Sequence, residues 1–128
     1  MRSIAEDIVC RIGIACGKEP SVRLSASGGT AFYPVSDRLE ASFLDGGELR
    51  RTEIRVKFKG EAPSELFAAA EKFCGDIDGI GDISGENYRV ARLAPSERPS
   101  MESCGENGMS IVSFVLAAEY LLERGQDL

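Results

Sequence analysis

Residues 51–74 read RTEIRVKFKGEAPSELFAAAEKFC, and within them the hydrophobic pattern changes once, from a period of two to the period of a helix. Thr52, Ile54, Val56 and Phe58 fall on one side of the first half, and Arg51, Glu53, Arg55, Lys57 and Lys59 fall on the other. Successive side chains point to opposite faces of a strand, so a strand over about 50–59 is predicted, apolar on one face and charged on the other. Gly60 breaks the alternation, and Pro63 stands where proline is tolerated, at the first turn of a helix, with Ser64 and Glu65 behind it. Leu66, Phe67, Ala70, Phe73, Cys74 and Ile77 then recur at spacings of one, three and four, an apolar stripe on a helix over about 63–77. Strand and helix are expected to share one core.

Working outward, Ile4, Ile8, Ile12 and Cys16 are spaced by four, with charged Glu6, Asp7 and Arg11 opposite. An amphipathic helix over about 3–16 follows, with Ser3 as N-cap and Gly17 as the stop before Pro20. Turn residues crowd 18–34, where short irregular strands are expected near Ser21 to Ser25 and a loop at Gly28 and Gly29. Leu39, Ala41 and Phe43 alternate with Arg38, Glu40 and Ser42, which predicts a strand over about 37–44. Asp45, Gly46 and Gly47 suit a tight turn, so 37–59 reads as a hairpin.

Beyond the second helix, Tyr88, Val90 and Arg92 lie on one side of an imperfect strand over about 88–93, and Arg89, Ala91 and Leu93 on the other. Pro95 and Pro99 make the next segment extended and unsuited to a central ladder, an exposed connection. The stretch at about 109–122 has claims on both states. Ala117, Ala118, Leu121 and Leu122 suit a helix, but the alternation of Val112, Phe114, Leu116, Ala118, Tyr120 and Leu122 favours a long strand with apolar residues on both faces. The element order predicts an α+β fold, an antiparallel sheet with two helices packed on it, in a single domain spanning 1–128.

The composition narrows the function. With 21 acidic against 15 basic residues the net charge is −6, which disfavours specific or non-specific nucleic-acid binding and attachment to anionic lipid. The first residues do not read as a signal peptide, because Glu6, Asp7 and Arg11 interrupt the apolar positions, and no stretch is long enough to span a bilayer. Cys10, Cys16, Cys74 and Cys104 lack paired spacing and the chain has no histidine, so reduced thiols rather than a zinc site are expected. Without histidine the commonest general base is missing, and no nucleophile stands in a strand-to-helix elbow, so the chain is not read as an enzyme. Asp76, Asp78 and Asp82 hint at calcium, but Ile80 and Asn87 occupy positions where a calcium loop needs ligands. The simpler reading is a helix exit and a polar turn. Gly79 and Gly81 follow a helix, whereas a dinucleotide loop follows a strand. No cofactor and no metal are expected.

What remains is the basic row Arg51, Arg55, Lys57 and Lys59, beside Arg50 and near Arg89 and Arg92. Glu53 interrupts it and no aromatic is interleaved, so a surface facing a protein subunit is favoured over one facing phosphates.

The wording RRTEIRVKFKGEAPSELFAAAEKFCGDIDG, then GENYRVARL, then GMSIVSFVLAAEYLLER resembles small phage minor capsid proteins of the tail-terminator type, found in prophages of Gram-positive bacteria. The likeness is of pattern and spans roughly residues 1–124, with no catalytic motif to carry over. It implies a virion structural protein that forms a ring oligomer, a hexamer among the options, on the head-proximal end of a tail tube. Its partners would be copies of itself, tail-tube protein and head-neck proteins. Its location would be the virion or a phage-like particle, after assembly in the host bacterial cytoplasm. The competing reading is a small non-catalytic ligand-binding or adaptor module, which a deep apolar pocket would favour.

Overall fold

The structure is a computed structural model, and it describes residues 3–21, 28–104 and 108–123. Helix α1 runs Ile4–Cys16, strand β1 Gly29–Ser42, strand β2 Glu48–Gly60, helix α2 Pro63–Asp78, strand β3 Tyr88–Cys104 and strand β4 Ser110–Leu122. The four strands form one antiparallel sheet in the order β1-β2-β4-β3, and both helices pack on the same face. The α+β architecture expected from the element order is present.

Local chemistry explains where the helices begin and end. Ser3 Oγ accepts from the Glu6 backbone N–H at 3.1 Å, and Glu6 Oε1 accepts from the Ser3 N–H at 3.2 Å, a reciprocal cap that satisfies two otherwise unpaired donors. Gly17 closes α1 at a φ of 70°, a conformation that glycine adopts without steric cost. Helix α2 starts with Pro63 at its first turn but has no side-chain cap, because Ala62 holds that position. Its buried residues are Leu66, Ala70, Phe73 and Ile77. Phe73 sets its ring edge against Phe32 of β1 and Phe114 of β4, with centroids 5.6 and 5.9 Å away, so one helical aromatic binds two strands to the helix layer.

The β2 alternation holds throughout: Thr52, Ile54, Val56 and Phe58 are all buried under the helices. Thr52, the one polar member, donates its hydroxyl to the Ser36 carbonyl at 2.7 Å, which removes the penalty of burying it. Strand β4 pairs with β2 without a break from Glu48↔Leu122 to Gly60↔Ser110 and with β3 on its other side. The long strand expected from the alternation is present, and its two-sided apolar pattern is that of an interior strand.

Two boundaries differ from expectation. Strand β1 begins at Gly29 and stops at Ser42, not at 37–44, so the loop expected at Gly28 and Gly29 is the strand's entry. Its inner half was hidden because Ala31 and Phe32 are both buried, one on each face, and Pro34 interrupts the run. Proline is tolerated there because β1 is an edge strand with a register shift between Pro34 and Ser36. The second correction concerns Pro95 and Pro99. They lie inside β3, which continues to Cys104 as the opposite edge strand with four register shifts, rather than in a connection. An edge strand needs only one row of ladder donors, so the prolines leave the sheet intact. The irregular strands expected near Ser21 to Ser25 lie largely outside the described residues; Ser21 itself bridges Phe32.

Candidate assembly surface

Among the described residues no helix or further strand layer covers the second face of the sheet, and the predicted basic row lies on it. Residues paired across an antiparallel ladder share a face, so Arg51, Arg55 and Lys57 stand beside Glu119, Val115 and Ser113 of β4. The register also places Arg89 and Arg92 of β3 on this side, opposite Leu121 and Glu119. A bulge at Ala91 is what turns Arg92 outward and Leu93 inward, resolving the imperfect alternation of 88–93.

The four predicted interface residues are all half-buried, and their surroundings differ. Lys57 Nζ reaches Glu102 Oε1 at 2.8 Å, although β2 and β3 are separated by β4 and therefore by about 10 Å. The pair arches over Ser113 and helps to bury it on a face that carries no helix. The hydrogen bond from Lys57 holds Glu102 below the usual carboxylate range, against an opposing push from burial. Arg51 lies 3.8 Å from Glu53, and its Nε is enclosed without a hydrogen-bond partner. Arg55 and Lys59 form no salt bridge among the described residues. The row is thus one internal tie, one constrained guanidinium and two cations without a salt bridge among the described residues, of which Arg55 still acts on Glu102 through its charge. Val115 and Ala117 of β4 lie buried between the long side chains of β2 and β3.

A second exposed feature, which the sequence reading did not single out, is the far end of the β1–β2 hairpin. The turn is tight: the Phe43 N–H donates to Gly47 O at 2.9 Å, the Gly46 N–H to Phe43 O at 3.0 Å, and Gly46 has a φ of 91°. The turn residues Asp45, Gly46 and Gly47 therefore perform as expected, but Phe43 and Leu44 are in the turn and not in the strand. Leu44 is fully exposed, and Val35, Leu39 and Phe43 are each close to half exposed. A bulge between Leu39 and Ala41 breaks the alternation that those residues suggested. The arm is nevertheless braced at its root. Buried Tyr120 donates to Asp37 at 2.8 Å, Arg50 Nε stands 3.5 Å from the same carboxylate, and Arg50 Nη1 lies 3.0 Å from Glu48. The adjacency of Phe43-Leu44 to Asp-Gly-Gly was the available signal, since large apolar residues are uncommon at a loop tip without a partner.

The clefts are open to solvent. One of about 720 Å³ lies between the C-terminal ends of the two helices and is lined by Arg11, Cys16, Asp76, Gly79 and Asp82 among others. Asp76 and Asp78 end α2, Asp82 follows in the turn, and Asp76 binds Lys72 at 3.0 Å. Among the described residues no three ligating side chains stand together as a metal would need. Burial pushes the Cys16 and Cys74 thiols up, away from the reactive thiolate. No helix among the described residues is long and apolar enough to cross a membrane.

No protein-family model and no curated protein sequence matches the chain. The surface chemistry must therefore bear the functional reading, and it consists of an uncovered charged sheet face and an apolar hairpin tip.

Proposed function

We propose that this protein is a structural subunit of the phage tail-terminator type, assembling with copies of itself into a ring that caps the tail tube and joins tail to head. The observation that carries the reading is the one-sided packing of the sheet: both helices cover one face and leave the other, with its basic row, available to another subunit. The exposed Val35, Leu39, Phe43 and Leu44 on the hairpin arm add an apolar patch of the kind that marks protein contact sites. The pattern of strands and helices in the sequence supports the same reading through its resemblance to that family. A ligand-binding module is less well supported, since such sites are enclosed and mostly apolar whereas the cleft between the helix ends is wide and lined by charged and backbone groups.

Size-exclusion chromatography with light scattering at high protein concentration, alone and with tail-tube protein, is the test. A ring-sized species in either condition is the expected result. A strict monomer in both would overturn the proposal.

A further inference from the structure

The charges of this chain are unevenly divided between its two sides. Residues 61–87, which hold α2 and the turn after it, contain seven acidic side chains against Lys72 alone. On the uncovered sheet face, β2 and β3 carry Arg51, Arg55, Lys57, Lys59, Arg89 and Arg92, which outnumber Glu53, Glu97, Glu102 and Glu119 on the same side. The members without a salt bridge follow the same division. Arg55 and Lys59 form no salt bridge on the sheet side, and Asp78 and Asp82 form none on the helix side, among the described residues. The C-terminus of α2 adds the negative end of its backbone dipole, and its last turn contains no basic residue to offset it.

Building on the ring reading, we infer that the uncovered sheet face docks against the acidic end of α2 in a second copy of this chain. Charge complementarity selects this occupant over a two-fold pairing of like faces, because two basic rows brought together would repel. The contact joins two different surfaces of the subunit, so each copy keeps one unused half of the contact and can accept a further neighbour. Such a chain closes into a ring when the rotation per step permits.

A charge exchange tests this directly. Arg55→Glu with Lys59→Glu gives one variant and Asp78→Lys with Asp82→Lys the other; among the described residues none of these four takes part in a salt bridge, and circular dichroism checks that each variant folds. Each variant alone is expected to lose the assembled species seen with the wild-type chain, because its two docking surfaces then have the same sign. An equimolar mixture is expected to regain it, since every sheet face then meets a helix end of opposite sign in alternating order. Assembly of wild-type chain that persists in either folded variant alone, or a mixture that stays monomeric, overturns the docking mode while leaving ring formation standing. Wild-type chain that never assembles, even on tail tube, overturns both.

Discussion

Two buried tyrosines show how single residues lock this fold. Tyr88 of β3 and Tyr120 of β4 meet edge to face at 6.0 Å, and each donates its hydroxyl to an aspartate on a different element. Tyr88 reaches Asp7 of α1, which also binds Arg11 at 2.8 Å, so a single phenol joins the first helix to an edge strand. Burial first, and then the neighbouring Asp7 carboxylate, push the Tyr88 phenol up to about 12 from an ordinary value of 10.0. A phenol harder to ionise in the folded chain than in the unfolded chain contributes stability that is fully present below pH 10 and is lost as pH rises toward 12. Tyr88→Phe is therefore expected to lower stability by about 1.5–3 kcal/mol at pH 7, the range for a hydrogen bond to a charged group. It should also flatten the further loss between pH 10 and 12. Urea unfolding across that pH range checks both; an alkaline slope equal to that of wild type would rule out Tyr88 as its source.

At the scale of elements, the two helices differ in how they begin. Helix α1 has a reciprocal cap, whereas Ala62 at the start of α2 supplies no side-chain acceptor. Ala62→Ser is expected to stabilise the protein by about 0.5–2 kcal/mol, since the Ala62 backbone is already in the extended conformation a cap requires. A thermal or urea melt reads it, and an unchanged midpoint would mean that the α2 start is satisfied by water. The elements legible in the sequence were those whose burial is one-sided: β2, with its dry Ile54, Val56 and Phe58, and both amphipathic helices. Strand β4 was legible as a strand because its alternation is long, although its place between β2 and β3 was not. The edge strands were cut short in the reading because Pro34, Pro95 and Pro99 resemble loop punctuation unless one knows that the strand has an open side. The basic row was found on its correct face, while the apolar hairpin tip escaped notice since Leu39 and Phe43 look like core residues until the bulge beside Leu39 is seen.

For the whole molecule, the sheet face and the hairpin arm separate folding from assembly. Phe43→Ser with Leu44→Ser removes apolar surface that is mostly outside the core, so monomer stability should stay within about 0.5 kcal/mol of wild type. Assembly, measured by light scattering with tail-tube protein present, should fall sharply; full retention would exclude the arm from the contact. Reversal of charge at Arg55 and Lys57 should likewise impair assembly with little change in fold, the loss of the Lys57–Glu102 tie being a surface effect of about 1 kcal/mol or less. The position of β4 has a consequence for how the protein is made. Strand β4 is the last of the four strands to be synthesised, yet it lies between β2 and β3, and its pairs with β2 run from Gly60↔Ser110 to Glu48↔Leu122. A nascent chain that has reached only β3 can form the β1–β2 hairpin, but β2 then has a bare edge and β3 has no neighbour at all. Closing such distant pairs is slow. The sheet must wait for residues 110–122 to leave the ribosome, and chains released before Ser110 carry unpaired strands that invite aggregation.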